Sequence, residues 1–446
     1  MSAAPTRWAP WLAAAAGLAF TLLAFYPGYL SFDSADQWQQ ARHFAFNDLH
    51  PPALAMLWHL VDRIWPGPGG MFVLQALLCW AVLALLIAQL KASAALRAGL
   101  VLLLGLWPPL FGLLPHLWKD VPMAGLLTLA AALAMADLRR PLALRRWALL
   151  LCLLAAGALR HNALPALLPF AGWWLWREAD LRGWHGQRAY KTLASVALAV
   201  LIGFTAQLPA RHPAVTHTDS PWSVVALWDI AAVSIAEQRL LFPPGFARKD
   251  VDLALLRERF SPWSNTSLYR DDAFRHSLYD PYDPIQSATL QRAWLSLPLT
   301  HPRAYFAHRL RLAGYLFGFF PAALPDRMVL MPGIEALADN PAVSANRSTL
   351  NRVVQGGLNA LIDTPLFAGW LYLLLSAALA IVAWRRRAQA QARLALVLIA
   401  SALLYTLPLL LIAGSAEFRY LIWLVQASAS SLVLLVYTPS PVQSTA

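Results

Sequence analysis

Long apolar runs constrain the fold of this chain more than any other feature. Ten runs, separated by polar stretches, lie at 10–28, 71–90, 98–115, 121–137, 146–160, 163–177, 191–208, 366–384, 394–413 and 419–437. A helix needs roughly 20 apolar residues to cross a bilayer. The runs therefore predict an all-α polytopic membrane protein with about ten transmembrane helices, in a range of roughly 9–12. Runs 146–160 and 163–177 are short, and they also fit one helix kinked at Asn162 and Pro165.

Composition favours the same class. Hydrophobic residues make up 59% of the chain and charged residues only 13%, whereas about a quarter of a soluble domain is charged. A net charge of +12 would suggest a nucleic-acid partner in a soluble protein. Here the basic residues are concentrated between apolar runs, so we expect no nucleic-acid partner. Cys79 and Cys152 both lie inside apolar runs, which predicts core residues and no disulfide.

The distribution of basic residues predicts the orientation. If the N-terminus is cytoplasmic and the runs alternate, fifteen basic residues and only three acidic ones fall on the cytoplasmic side. Such an excess is typical of cytoplasmic loops. The fifteen are Arg7, Lys91, Arg97, Arg139, Arg140, Arg145, Arg146, Arg177, Arg182, Arg188, Lys191, Arg385, Arg386, Arg387 and Arg393.

This orientation divides the chain into three parts. Residues 1–208 form an N-terminal transmembrane bundle with a first outer loop at 29–70, 209–365 an extracytoplasmic segment, and 366–446 the C-terminal transmembrane helices. Inside the second part, the apolar stretch 304–323 contains His308, Arg309 and Arg311. We expect it to lie in the membrane interface, because one further span would move the arginines at 385–387 to the outer side. The stretch 53–65 presents the same choice between spanning and interfacial.

Polar clusters at the outer ends of the runs are the candidate functional residues, since charges near the bilayer are costly and mark function. Carboxylates there can act as a general base or, at Asp33 and Asp36, hold a divalent cation such as Mg or Mn. Cations there can bind an anionic ligand. The candidates are Asp33, Asp36, His50, Lys119, Asp120, Arg160, His161, Glu417, Arg419 and Tyr420.

Each cluster taken alone also fits a structural role. Asp33 and Asp120 suit the first turns of helices. The sequence His50-Pro51-Pro52 suits a rigid turn, and Arg419 an interfacial anchor. Their common face, and their mixture of acids and cations, favour a site for an anionic, lipid-linked donor.

With these motifs the sequence resembles the GT-C superfamily of membrane glycosyltransferases, which use polyprenyl-phosphate-linked sugars and include protein O-mannosyltransferases and lipid A aminoarabinose transferases. The matching positions are Asp33, Ala41, His50-Pro51-Pro52, Asp120-Val121-Pro122, Arg160 and Arg419-Tyr420. The sequence departs from the family at Ser34, where a Glu usually follows the Asp, and at Gln37-Trp38, where a Tyr often follows. The resemblance is therefore to a divergent branch.

The resemblance implies an inverting glycosyltransferase in a bacterial inner membrane, with a periplasmic active face and membrane lipid as its surroundings. Asp33 would be the general base, and Asp36 or Asp120 would position the acceptor or a cation. The leaving phosphate would be neutralised by cations, namely Arg160, Arg419, and Arg309 or Arg311. A lipid or polyol transporter or flippase, and a non-catalytic envelope assembly protein, are the alternatives. The sugar, the acceptor, the metal requirement and the oligomeric state stay open.

Overall fold

The computed structural model describes residues 4–184, 186–217, 220–269, 283–320, 324–325, 328–337 and 339–437. Helices make up nearly all the regular structure of this part of the chain, which confirms the all-α prediction. Residues 321–323 of the predicted interfacial stretch, and 438–446 of the predicted C-terminal part, lie outside the described residues.

The N-terminal half is a series of ten helices. They are α1 (Ala4–Phe25), α2 (Phe32–His43), α3 (Ala53–Ile64), α4 (Pro68–Ile87), α5 (Ala94–Gly105), α6 (Pro108–Leu113), α7 (Asp120–Arg139), α8 (Ala143–Leu159), α9 (Leu164–Leu181) and α10 (Arg188–Ala206). Before α3, the strand β1 (Phe46–Asn47) pairs in parallel with β2 (Val215–Thr216), which follows α10.

Five further helices lie among the described residues of the region predicted to be one aqueous segment. They are α11 (Ser223–Ala236), α12 (Leu253–Arg259), α13 (Pro284–Thr300), α14 (Pro302–Leu316) and α15 (Thr349–Asn359). The apolar α11 was not foreseen from the sequence, and it is buried along most of its length. The chain then continues into α16 (Gly369–Arg385), α17 (Ala390–Thr406), the short α18 (Leu409–Ile412) and α19 (Ile422–Val436).

Six helices of the described chain are long and apolar enough to cross a membrane, which marks this chain as a membrane protein. They are Arg7–Phe25, Pro68–Ile87, Asp120–Arg139, Arg188–Arg211, Ala390–Ile412 and Phe418–Val436. Each corresponds to one of the ten predicted runs. The faces that these helices leave uncovered are apolar: on α10, Leu193, Val200 and Phe204 are each more than half exposed.

The other four predicted runs are helical but do not reach that length or apolarity. Run 98–115 is divided into α5 and α6 at Trp107, because Pro108 and Pro109 begin a new helix. Both α8 and α16 have 17 residues. Helix α9 carries three charged residues near its end, at positions 177, 178 and 180.

Helices α8 and α9 form an antiparallel hairpin rather than one kinked helix. Arg146, in the first turn of α8, lies 2.5 Å from Glu178 near the end of α9. The indole nitrogen of Trp174 donates a hydrogen bond to the Arg146 carbonyl at 2.9 Å. These contacts require the chain to reverse direction between the two helices, in the turn that follows Arg160.

The bundle has two polar ends. At the first, here called the site end, the N–H of Tyr29 donates to the Pro115 carbonyl at 2.8 Å, and the N–H of Leu117 donates to the Tyr29 carbonyl at 3.1 Å. The loop after α1 and the loop before α7 therefore lie together. At the opposite end, Arg146 also pairs with Asp137 of α7 at 2.8 Å. Asp137 lies 17 residues along α7 from its site end, or about 26 Å at 1.5 Å per residue.

Helices α3 and α14 are shorter than the six candidate spans. Their 12 and 15 residues correspond to about 18 and 22 Å, against a hydrocarbon core of about 30 Å. Both expose large apolar side chains: Leu60 and Ile64 of α3 are 58% and 87% exposed, and Leu310 of α14 is 71% exposed. An interfacial position for them stays a prediction.

Candidate functional site

The site end gathers side chains from four places in the sequence. Asp33 lies in the first turn of α2, and Lys119 and Asp120 lie where α7 begins. Arg160 follows the last residue of α8, and Arg419 lies in a 3₁₀ turn, Phe418–Leu421, that leads into α19. Helix ends alternate between the two faces of an antiparallel bundle, so these four places meet at one face.

Asp33, Arg419 and Glu417 form the first group of ion pairs. Asp33 Oδ2 accepts a hydrogen bond from Arg419 Nη2 at 2.7 Å, and Glu417 contacts Nε of the same guanidinium group. The Arg419 side chain is 9% exposed, whereas that of Asp33 is 28% exposed. The Asp33 carboxylate is thus held by an arginine and still reachable from outside the protein.

Asp120 and Arg160 form the second ion pair. Arg160 donates to Asp120 Oδ1, and its Nε donates to Asn162 Oδ1 at 2.8 Å. Asp120 is fully buried and Arg160 nearly so. A buried carboxylate without a cation would be very costly, so each of these two groups stabilises the charge of the other.

Aromatic rings join the two groups. The Tyr420 ring centroid lies 5.1 Å from the Arg160 guanidinium carbon and 5.5 Å from that of Arg419. The Trp118 ring centroid lies 4.8 Å from the Arg419 guanidinium carbon. Such contacts favour cations in places with little water, so the two guanidinium groups are held close together despite their like charge.

Lys119 lies within this charged cluster without a direct partner. Only 8% of the residue is exposed, and its ammonium group makes no hydrogen bond or ion pair with any residue that the structure describes. Burial, and after it the charge of Arg160, lowers the pKa of Lys119 to about 7. Lys119 is therefore a cation that an anionic ligand would stabilise.

His50 lies beside Asp33, with Nε2 3.8 Å from Asp33 Oδ1. Burial lowers the pKa of His50 below its ordinary value, so the imidazole is neutral at pH 7. Burial alone would raise the pKa of Asp33, but the charge of Arg419, followed by the effect of His50, holds that pKa well below its usual range. Asp33 is therefore an ionised carboxylate at neutral pH.

Asp36 lies one helical turn after Asp33 and has a different hydrogen-bond partner. Its Oδ2 accepts a hydrogen bond from Gln40 Nε2 at 2.6 Å, and burial raises its pKa. The structure's described residues contain no group of three or more His, Cys, Asp or Glu side chains that could hold a metal ion. Asp33 and Asp36 do not make a protein-bound divalent cation site by themselves, because one is paired with Arg419 and the other with Gln40.

Arg309 and Arg311 do not join the cluster, so the prediction that they face the same ligand is not supported by their positions. Arg309 is buried against Asp229, and Arg311 is exposed on α14. For His161 the structure describes the backbone, in a short 3₁₀ turn, and not the side chain.

Sequence reasoning missed Trp118 and Ser415. Trp118 directly precedes Lys119, and its indole nitrogen also donates to Ser31 Oγ at 2.8 Å. An aromatic residue next to a charged pair was a usable signal. The Ser415 hydroxyl donates to Glu417 at 2.8 Å and lies 3.1 Å from the Tyr420 hydroxyl, and nothing in the sequence around it marks that role.

The fold and the site thus define an all-α membrane protein with a cluster of acids, cations and aromatic rings at one end of its bundle. No known protein-family model matches the sequence, and the search of curated proteins gives no significant match. The functional argument therefore depends on the chemistry of the cluster.

Proposed function

We propose that the protein is an inverting glycosyltransferase that moves a sugar from a polyprenyl-phosphate donor to an acceptor outside the cytoplasm. The observation that carries this proposal is the ammonium group of Lys119, which has no hydrogen bond or ion pair among the described residues and belongs to the same cluster as two arginine ion pairs. A lipid phosphate would give this ammonium group a direct partner, and a membrane supplies the lipid.

The proposed topology is ten transmembrane helices in a bacterial inner membrane, with a cytoplasmic N-terminus. Two helices of 17 residues, α8 and α16, the hairpin partner α9, and the pair α5–α6 complete the six long spans. The positive-inside bias supports this orientation, because Arg385 ends α16 and Arg386 and Arg387 lie between α16 and α17. The site end then faces the periplasm, together with the segment 209–365.

The donor phosphate would contact Lys119, Arg160 and Arg419. Positive groups fixed where negative charge develops stabilise the transition state, and they do so strongly where water is scarce. Asp120 and Glu417 hold the two guanidinium groups in place before the donor arrives, so little reorganisation is needed.

Asp33 would remove the proton from the acceptor hydroxyl, because it is the most accessible carboxylate of the paired acids. The acceptor oxygen then attacks the anomeric carbon from the face opposite the phosphate. The bond between that carbon and the phosphate oxygen breaks, and polyprenyl phosphate leaves with the electron pair. Attack from the opposite face inverts the anomeric configuration.

Donor binding would also strengthen the base. The pKa of Asp33 is low because Arg419 lies beside it, and a bound phosphate competes for the same guanidinium group. When Arg419 is shared with the phosphate, the Asp33 carboxylate becomes a stronger proton acceptor. No step of this mechanism requires a metal ion held by the protein.

The pH dependence of donor binding tests the role of Lys119. A polyprenyl phosphodiester carries one permanent negative charge, so its own charge does not change near neutral pH. Its affinity is expected to fall roughly tenfold from pH 6.5 to pH 8, because a group with a pKa of about 7 loses most of its protons in this interval. The measurement is ligand binding to the purified protein in nanodiscs.

Other titratable or charged groups face Lys119 and could contribute to the pH dependence. They are Asp33, Asp36, His50, Asp120, Arg160 and Arg419. Burial lowers the pKa of His50, which reduces its share of the pH dependence in this interval. The variant Lys119→Met should bind weakly and without the pH dependence, and Asp36→Asn should retain it. A pH dependence that persists in Lys119→Met would reject the assignment.

A further inference from the structure

A second buried charged cluster lies outside the site. Asp229, in the middle of α11, accepts a hydrogen bond from the Trp294 indole of α13 at 2.7 Å and contacts the Arg309 guanidinium group of α14. His308 Nε2 lies 3.1 Å from the other Asp229 oxygen. Asp229 is 0%, Arg309 2% and His308 7% exposed. A charged cluster this deeply buried is costly to form, and apolar residues of equal volume often stabilise as well or better.

Arg309 has a second contact, which leads toward the site. Its Nη1 donates to the Ala413 carbonyl at 2.7 Å. The next residues of the chain are also held by the outer segment: the Asn265 N–H donates to the Gly414 carbonyl at 3.1 Å, and the Ala416 N–H donates to the Trp263 carbonyl at 2.8 Å. The stretch 413–416 is thus fixed from one side by Arg309 and from the other by 263–265.

This stretch leads directly into the ion pairs of the site. Ser415 donates to Glu417 at 2.8 Å, and Glu417 contacts Arg419. Arg419 in turn holds Asp33. A shift of the 413–416 backbone would therefore move the guanidinium group that is proposed to bind the phosphate.

We propose that Arg309, oriented by Asp229 and His308, is a positioning residue that sets the place of Arg419 through the backbone of 413–416. The outer segment and the phosphate site are thereby coupled. This coupling rests on the proposed function. It also explains why position 309 holds an arginine, whose planar guanidinium group can make two contacts. A guanidinium group reaches the Asp229 carboxylate and the Ala413 carbonyl together, whereas an ammonium group is a single point of charge.

The test is Arg309→Lys, with Arg146→Lys as the matched control. Arg146 is also a buried arginine with two contacts, to Glu178 and Asp137, but it lies at the opposite end of the bundle. Three quantities are measured in nanodiscs: the Tm, the hydrogen-exchange protection of 413–421, and the affinity for a polyprenyl phosphodiester.

Both variants should lower the Tm, because each loses a contact of a buried cation. Only Arg309→Lys should reduce the protection of 413–421 and weaken phosphodiester binding, by about tenfold. Equal protection of 413–421 in Arg309→Lys and wild type would overturn the proposal, and this readout does not depend on any transferase activity. Wild-type protein that fails to bind the phosphodiester would instead count against the proposed function. Equal loss of binding in both variants would show a general effect of stability and would also overturn the positioning role.

Discussion

Asp33→Asn should lower the rate of sugar transfer by about 10²- to 10⁴-fold, the range that a general base contributes. Asparagine has nearly the same shape and can still accept a hydrogen bond from Arg419, but it cannot take a proton from the acceptor. Protein yield and Tm should change little, because the Asp33 side chain is partly exposed and Arg419 retains its contact with Glu417. The measurement is turnover of the purified variant at saturating donor.

Asp36→Asn is the matched control for this result. It is the same substitution one helical turn away, at a carboxylate that is hydrogen-bonded to Gln40 and whose pKa burial raises. Its turnover should stay within a few-fold of wild type if Asp33 alone is the base. Turnover of Asp33→Asn close to wild type, at equal donor occupancy, would reject the assignment.

The second large effect concerns stability. Asp120→Leu should destabilise the protein by about 3–5 kcal/mol, because it leaves the buried Arg160 guanidinium group without its carboxylate. The double variant Asp120→Leu with Arg160→Met should recover most of this loss, since two apolar residues of similar volume leave no charge unpaired. Unfolding in mixed micelles at increasing denaturant measures both free energies.

The double variant also separates folding from function. It should fold and yet bind the polyprenyl phosphodiester weakly, because one of the three cations of the site is gone. A double variant less stable than Asp120→Leu alone would contradict the view that the pair is held together by mutual charge compensation.

The sequence predicted that distant polar clusters lie on the same face of the membrane. Successive spans cross in alternate directions, so counting the apolar runs shows which loops share a face. Asp33, Asp120 and Arg419 are far apart in the chain, but each stands at the site end of a helix. Of the two N-cap residues that the sequence offered for the helix after α1, Ser31 and Asp33, the structure has Ser31, so Asp33 lies in the first turn of α2.

The partners of individual charges could not be predicted in this way. Arg160 pairs with Asp120 and Arg419 with Asp33, and both choices depend on side-chain geometry within a few ångströms. The family resemblance implied that Arg309 or Arg311 faces the leaving phosphate. The carboxylate partner of Arg309, Asp229, lies 80 positions earlier on the apolar helix α11, and only packing brings the two together.

The lengths of the helices could also not be predicted from the apolar runs alone. The run 98–115 reads as continuous, yet Pro108 and Pro109 cannot continue a helix from the preceding residues, so α5 ends at Gly105. This signal was present in the sequence. The ten predicted runs already separated α8 from α9, and the ion pair between Arg146 and Glu178, which are 32 positions apart, decides against the alternative of one kinked helix.

The most direct test of the account uses purified protein in liposomes with polyprenyl-phosphate-linked hexoses and pentoses, labelled in the sugar, and an envelope fraction as the source of acceptor. The account predicts one polyprenyl phosphate released for each sugar transferred, a product of inverted anomeric configuration, and loss of both in Asp33→Asn. Passage of an intact donor across the bilayer, with its bond between sugar and phosphate unbroken, would contradict the account and indicate a transporter.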